Sequence, residues 1–245
     1  DEAFHFALVE HLGRGGALPV QSPDNVGPWR QEGSQPPLYY ALSGLLTRWV
    51  DTSDWAEVHR LNPHADLGVV NPDRNLNIVV HTPRERFPWR GTVLAVHLVR
   101  GLSVLMGMVT VVAGYALARA ALPGDGAVAL GAAALTAFNA QYLFISGSVN
   151  NDALVIMLCA LALWLMVRAV SRPPTAAGWA LLGVVLGLAA LTKASAMGMF
   201  ALAALLGAYH ARRARSWRLL VEAGLLIGLS ALAVSGWWFL RNWRL

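Results

Sequence analysis

The sequence predicts an all-α protein, a polytopic membrane helix bundle with an extracytoplasmic loop that carries amphipathic interfacial helices. Of the 245 residues, 56% are hydrophobic and only 13% are charged, which is about half the charged fraction of an ordinary soluble domain. The charge is also divided unevenly: residues 1–90 hold eight arginines against eleven acids, whereas residues 91–245 hold eleven basic residues against three acids. A soluble chain this apolar could not cover its surface with polar groups, so soluble, disordered and disulfide-stapled classes are excluded.

Residues 1–90 are predicted to lie outside the membrane and to contain amphipathic helices. Phe4 and Leu8 stand at helical spacing near the start of this segment. The glycine pair Gly15-Gly16 follows, and glycine is typical of a helix end. The pattern therefore predicts a first helix that ends at the glycine pair.

A second helix is predicted from Leu38 to about Val50, because the preceding pair Pro36-Pro37 suits the first turn of a helix. A helix of about 13 residues is too short to cross a bilayer. We therefore expect it to lie in the membrane interface, anchored by aromatic side chains. These anchors are Tyr39, Tyr40 and Trp49.

Residues 91–245 are predicted to form a transmembrane bundle of about six spans. The apolar runs are 92–118, 126–146, 152–169, 177–192, 194–211 and 217–240. With six spans, one side of the membrane receives Arg119, Arg168, Arg172, Arg212, Arg213, Arg215 and Arg218. The short loops of the other side hold only Lys193, Arg241 and Arg244. The positive-inside rule makes the first side cytoplasmic and places residues 1–90 outside.

Arginine outnumbers lysine 18 to 1, and this bias indicates a GC-rich bacterial genome. We therefore expect a multi-pass protein of the bacterial cytoplasmic membrane. The sequence starts at Asp1 without an initiating Met, and an outer segment of this size needs an export signal. We therefore expect a piece of a longer protein, with a membrane helix preceding Asp1.

Asp1 and Glu2 are the first candidates for chemistry, and His5 lies one helical turn from Asp1. Two acids beside the expected end of a membrane helix could act as a general base or as metal ligands. Acids also favour the first turn of any helix, so the residues alone favour a solvated helix start for this pair.

Gln35 and Tyr39 are the second pair of candidates, in the segment QPPLYY. The two prolines fix the chain and aim both side chains from a helix start, which suits a phosphate or another anion. The alternative is an interfacial helix whose aromatic residues serve only as anchors.

Further candidates are polar residues within or beside the apolar runs. Arg100 lies inside the first run, where an arginine faces a cavity or a partner unless it snorkels to the surface. Lys193 occupies an outer turn, where an ammonium could bind phosphate or simply mark the end of a loop. Asn151 and Asp152 lie at another outer junction, where Asp152 could instead cap the next helix. Arg241 lies near the outer end of the last run.

These candidates all fall on the outer side of the predicted membrane. Carboxylates and cations in this place suit a donor with a lipid phosphate and a polar acceptor.

A family resemblance rests on the ordered segments DEAFH, QPPLYYALSG, HLVRGLSVLMGMVTVVAGYALAR, FISGSVNNDAL, GLAALTKAS and GWWFLRNW. They resemble the GT-C class of membrane glycosyltransferases, and they are most similar to bacterial relatives of protein O-mannosyltransferases and of the lipid A aminoarabinose transferase. The resemblance covers nearly the whole chain, as the N-terminal half of such an enzyme.

The resemblance implies an inverting glycosyltransferase whose donor is a polyprenyl-phosphate-linked sugar and whose acceptor stays open. The family's acidic catalytic base or site organiser falls on Asp1, with Glu2 beside it. The family holds the donor phosphate with basic residues near the outer interface, and Arg100 and Lys193 fit these positions. The sequence identifies no cofactor with certainty; a divalent metal is compatible with it, although no His, Asp and Glu cluster shows clear ligand spacing.

The rival interpretation is a non-catalytic membrane protein, either an assembly subunit or a transporter built on the same helices. An assembly subunit would use residues 1–90 as a docking surface and would need no acid–base pair. A transporter predicts internal repeats and helices broken near the middle of the membrane, and the sequence shows neither. Nucleic acid is excluded as a partner, because no basic face with interleaved aromatic residues is present.

The predicted topology can be tested by labelling cysteines from the two sides of the membrane. In a variant without the single native cysteine, Cys159, a cysteine at Thr82 should react with an impermeant maleimide added to spheroplasts. A cysteine at Arg213 should react only after permeabilisation, because the arginine cluster around it is predicted to be cytoplasmic. Labelling of both positions from the same side would overturn the topology.

Overall fold

The computed structural model describes residues 1–22, 24, 26–66, 69 and 77–245. Within these residues the α-helices are α1 Glu2–Gly13, α2 Leu38–Thr47, α3 Trp55–Val58, α4 Gly91–Ala121, α5 Gly126–Ala137, α6 Ala140–Ser146, α7 Asp152–Ser171, α8 Ala176–Ala190, α9 Met199–Arg213 and α10 Trp217–Arg244. Three short 3-10 helices cover Arg30–Ser34, Pro83–Glu85 and Ala194–Gly198. The all-α class is confirmed for the described part of the chain.

Four helical segments of the described residues are long and apolar enough to cross a membrane: α4, α7, α10 and the segment Ala194–Arg213 that contains α9. The count is five if the bent pair of α5 and α6 is one span. Helix α8 has 15 residues, and at 1.5 Å per residue its length of about 22 Å falls short of a bilayer core. The total of six spans therefore stays a prediction.

The apolar run 126–146 is broken into α5 and α6, which are bent by 62° relative to each other. Asn139 Oδ1 accepts the backbone N–H of Tyr142 at 2.9 Å, so Asn139 caps the start of α6. The sequence analysis found no broken helix, but this run contains one, because a single polar residue inside it supplies a new helix start.

The described residues divide into two compact units. The first comprises Asp1–Ser34, Tyr39–Ser103 and Gly147–Asn150, and the second comprises Gln35–Leu38, Val104–Ser146 and Asn151–Leu245. The first unit thus contains most of the predicted outer segment and the beginning of α4. The second contains the remaining apolar helices.

In the first unit, α1 ends where the sequence predicted. Gly15 has a φ of +82°, in the left-handed region that glycine accepts after a helix. The buried face of α1 includes Phe4, Phe6, Leu8 and Val9. Its last residue, Gly13, lies against Gly44 of α2, where a Cβ on Gly44 would come within 2.9 Å of the Gly13 nitrogen. This close approach packs the end of α1 against α2.

Helix α2 differs from its predicted interfacial arrangement. Tyr39 and Tyr40 are completely buried, whereas Trp49, just beyond the helix, is 68% exposed. Anchoring by all three aromatic residues was therefore wrong, and only Trp49 has the required exposure. The tyrosines turn inwards because their hydroxyls find buried partners, His5 for Tyr40 and Ser103 for Tyr39.

The second unit is organised around α8, which packs against α7 and α10. Its buried core consists of Ala162, Met166, Ala169, Trp179, Leu182, Leu186, Ala203, Leu206, Ala223 and Ile227. Gly183 and Gly187 of α8 form a G-x-x-x-G pair against α10, and a Cβ on Gly187 would lie 2.9 Å from the Ala231 Cα. Small residues allow such a close backbone approach in membranes, so they fix the end of α8 from which the turn with Lys193 follows.

Candidate functional site

A bidentate ion pair fixes Glu2 in the first turn of α1. Arg100 Nε donates to Glu2 Oε1 at 2.8 Å, and Arg100 Nη2 donates to Glu2 Oε2 at 2.6 Å. The backbone N–H of Val149 donates to Glu2 Oε1 at 2.7 Å. Paired parallel bonds of this kind are strong and directional. They also explain how an arginine is accommodated in the apolar helix α4.

These contacts decide the protonation state of Glu2. Burial by itself would raise the pKa of the Glu2 carboxyl, but the bonds from Arg100 and Val149 outweigh burial and hold the pKa below its usual value of 4.5. Glu2 is therefore ionised at neutral pH with both oxygens engaged. Such a carboxylate is suited to positioning other groups and is a poor proton acceptor.

The Tyr39 hydroxyl links α4 to the segment of Val149 and Asn150, whose backbone also binds Glu2. Its hydroxyl lies 2.8 Å from Ser103 Oγ and accepts the backbone N–H of Asn150 at 3.1 Å. Burial raises the pKa of Tyr39 to about 12, so the hydroxyl stays neutral. Because Asn150 follows Val149, this bond stabilises the N–H group that binds Glu2. The structure thus places the predicted donor-binding hydroxyl of Tyr39 inside the protein.

A cavity of about 260 Å³ lies beside the ion pair in the first unit. Apolar side chains such as Phe6 and Trp55 form part of its wall, and its polar lining comprises Glu2, His59, His81, Glu85, Thr92, His97 and Arg100. Burial lowers the pKa of His59, so its imidazole is neutral at pH 7. A mostly apolar wall with a few polar groups is typical of small-molecule sites.

Asp1 and His5 belong to a second group of polar side chains in the first unit. The side chain of Asp1 is 46% exposed, and its Oδ2 lies 3.6 Å from His5 Nε2. His5 is buried, with Nδ1 at 2.8 Å from the Tyr40 hydroxyl and at 3.5 Å from Glu32 Oε2. Asp1 itself is not among the described residues that line the cavity.

Glu32 was missed by the sequence analysis, although its carboxylate is buried in the group just described. Its place three residues before Gln35 does not distinguish a buried carboxylate from an exposed one, so the local sequence carried no usable signal. Asp1, His5 and Glu32 are the three described residues that could hold a metal ion together. The fold thus brings together one histidine and two carboxylates, although the spacing of these residues in the sequence is not typical of a metal site.

In the second unit, the structure brings together three of the predicted residues. Lys193 Nζ donates to Asp152 Oδ1 at 2.6 Å, and both side chains are 30% exposed. Asn151 Nδ2 donates to the carbonyl oxygen of Thr192 at 3.3 Å. These bonds join the start of α7 to the turn after α8, so the Lys193 ammonium has a fixed position and an acidic partner.

Two other predicted residues also lie in the second unit. Gln35 is half-buried and immediately precedes the proline pair before α2. The guanidinium carbon of Arg241 lies 5.3 Å from the centre of the Trp238 ring, and its Nη1 donates to Asn242 Oδ1. These contacts give Arg241 a packing role at the end of α10.

The helices and the paired charges describe an all-α, multi-pass membrane protein with polar groups held by ion pairs. Residues 95–238, more than half of the chain, match the family described as dolichyl-phosphate-mannose-protein mannosyltransferase. The chain belongs to this family of membrane glycosyltransferases, and the resemblance drawn from the sequence is confirmed. No match was found among curated proteins or among solved structures.

The ion pair of Glu2 generates a prediction about pH. Replacing Glu2 by Gln should lower the melting temperature at pH 7, because the Arg100 guanidinium loses its ionised partner. Because folding lowers the pKa of Glu2, its carboxylate stabilises the protein above pH 4.5, the usual pKa of a glutamate. This stability is lost as the pH falls through the pKa of Glu2 in the folded state. The difference in melting temperature between wild type and Glu2→Gln should therefore shrink between pH 5 and about pH 3. It would be measured by scanning fluorimetry of detergent-solubilised protein.

The matched control is Glu57→Gln, which removes a carboxylate from an exposed pair with Arg84. Exposed pairs contribute little to stability, so this variant should melt like the wild type throughout. A Glu2→Gln deficit that is constant across the pH range would contradict the assigned ion pair.

Proposed function

We propose that the protein transfers a sugar from a polyprenyl-phosphate donor to a hydroxyl of an acceptor at the extracytoplasmic face, with inversion at the anomeric carbon. The observation that carries the proposal is the difference between two adjacent carboxylates. Glu2 is immobilised by Arg100 and Val149, whereas nearly half of the Asp1 side chain is exposed. The family supports a lipid-linked sugar as donor.

In the proposed reaction, Asp1 is the general base. It accepts the proton of the acceptor hydroxyl, and the oxygen attacks the anomeric carbon of the sugar. As this C–O bond forms, the bond from the anomeric carbon to the phosphate oxygen breaks. The bonding electrons leave with the polyprenyl phosphate, so negative charge develops on the leaving phosphate oxygen and needs cations nearby.

The resemblance assigns Arg100 and Lys193 to the donor phosphate, and the geometry of each supports that role. Glu2 engages only Nε and Nη2 of the Arg100 guanidinium, which carries five N–H donors in all. Lys193 donates to Asp152, and an ammonium has three donors. Each acid therefore fixes the position of its cation and leaves donors that a phosphate can use.

The 260 Å³ cavity beside Glu2 is the proposed site for the body of the acceptor, whose reacting hydroxyl must extend beyond the cavity to Asp1, since Asp1 is not among its lining residues. Phe6 and Trp55 supply apolar walls, while Glu2 and the imidazoles supply hydrogen-bonding groups. Glu2 then has a positioning role, because its oxygens are held in place by Arg100 while it lines the cavity.

Asp1→Asn should abolish transfer without loss of folding. An amide cannot accept the proton, and a general base typically contributes about 10²- to 10⁴-fold to the rate. Turnover would be measured with full-length protein in proteoliposomes, using radiolabelled polyprenyl-phosphate sugars beginning with mannose. Asp51→Asn is the control, since Asp51 is exposed and accepts a hydrogen bond from the neighbouring Ser53 N–H. Unchanged turnover in Asp1→Asn would refute the catalytic assignment.

Lys193→Ala should raise the KM for the lipid-linked donor several-fold and leave the KM for the acceptor unchanged, because a positive charge at the phosphate is lost. Lys193→Arg should rescue only in part, since a planar fork does not replace a compact ammonium. Asp152→Asn is the informative comparison, because it breaks the same ion pair but keeps the lysine charge. If Lys193 only stabilises the turn, both variants will lower the melting temperature and neither will change the donor KM.

One observation favours the rival transporter interpretation, namely the bent pair of α5 and α6. Broken helices occur at the binding sites of many transporters. However, the family match over residues 95–238 includes this pair, so the bend belongs to a segment that the glycosyltransferase family shares.

A further inference from the structure

We propose that Asp1, His5 and Glu32 form a binding site for one divalent transition-metal ion, with Zn²⁺ as the best fit. One ligand atom from each residue can be chosen so that all three lie within 4.8 Å of one another. The inference shares Asp1 with the proposed function, because a carboxylate bound to the ion does not act as the general base at the same time, and metal binding can be measured in the absence of any sugar donor.

The spacing between Asp1 and His5 is that of two ligands sharing an ion. Asp1 Oδ2 lies 3.6 Å from His5 Nε2, which is too long for a hydrogen bond. Zinc binds nitrogen and oxygen ligands at about 2.0–2.2 Å in tetrahedral geometry, which separates two ligands by roughly 3.4 Å. An ion between these atoms would therefore need only a small movement of the exposed Asp1 side chain.

The contacts of the Tyr40 hydroxyl favour one tautomer of His5. The Tyr40 hydroxyl can donate to Glu32 Oε2, from which it lies 3.4 Å away, and accept the Nδ1–H of His5 at 2.8 Å. The lone pair is then on Nε2, the nitrogen that faces Asp1. Metal-binding histidines typically donate their other ring N–H to a polar partner in this way, which fixes the tautomer.

The charge of the cluster also calls for a cation. Glu32 is 3% exposed. Its carboxylate accepts long hydrogen bonds from Gln31 Nε2 at 3.2 Å and from the Tyr40 hydroxyl at 3.4 Å, and its ion-pair partner among the described residues is His5. A buried carboxylate is costly unless a positive charge or sufficient hydrogen bonds compensate it. Asp1 and Glu32 supply two carboxylates, whose formal charge one divalent ion neutralises.

The ligand types favour zinc over magnesium. Magnesium prefers an octahedral shell of oxygen atoms, whereas imidazole together with carboxylates suits zinc and its spectroscopic substitute cobalt. Three protein ligands also leave one tetrahedral position for water or another molecule, as in many reactive zinc centres.

The test is metal binding by purified full-length protein in detergent after treatment with a chelator. Titration with Co²⁺ should give visible d–d absorption that saturates at one ion per chain, and elemental analysis after reloading should find one Zn²⁺ per chain. His5→Gln, Glu32→Gln and the exposed Asp1→Asn should each weaken binding at least about tenfold. The controls His11→Gln and Glu10→Gln make the same changes elsewhere on α1 and should retain full binding.

Asp1→Asn keeps the result interpretable if substitution of the buried ligands impairs folding, because Asp1 is at the surface. The proposal is overturned if wild-type protein binds no Co²⁺, or if Asp1→Asn and a folded His5→Gln or Glu32→Gln variant bind it as tightly as wild type. Since transfer is measured separately, failure of the metal site and failure of the proposed glycosyltransferase activity are distinguishable.

Discussion

The pairing of Glu2 with Arg100 is the interaction on which the first unit depends. It joins the first turn of α1 to α4 across 98 positions of sequence, and the N–H of Val149 adds a third chain segment. Arg100 needs an anionic partner because it lies in an apolar helix, and Glu2 has the spare lone pairs to bind it on both oxygens. The same contacts set the direction of α1 and therefore the position of Asp1 at its start.

Apolar runs were a reliable guide to the long apolar helices, because hydrophobicity over about 20 residues depends little on tertiary contacts. Helices α4, α7 and α10 accordingly begin and end close to the predicted runs. The apolar runs did not reveal the break at Asn139, whose side chain caps a new helix inside one of them. They also could not show that Tyr39 and Tyr40 turn inwards, since that depends on partners far away in sequence.

The candidate site was predictable where a residue was unusual for its surroundings. Arg100 stood out inside an apolar run, and Lys193 stood out as the only lysine. Their partners were harder to assign, because Asp152 lies 41 positions before Lys193 and meets it only in the folded chain. Glu32 was beyond reach for the same reason: nothing in its local sequence distinguishes a buried carboxylate from an exposed one.

The two ion pairs share a physical principle although they belong to different units. In each, the acid lies in the first turn of a helix, Glu2 in α1 and Asp152 in α7, where the helix dipole favours a negative charge. In each, the cation comes from an apolar part of the chain and is bound through only some of its N–H donors. A lone cation would be costly in these surroundings, and a fully satisfied one could bind nothing further. A helix-start acid that neutralises the cation through only some of its donors resolves this conflict, and the proposed binding of a lipid phosphate requires this arrangement.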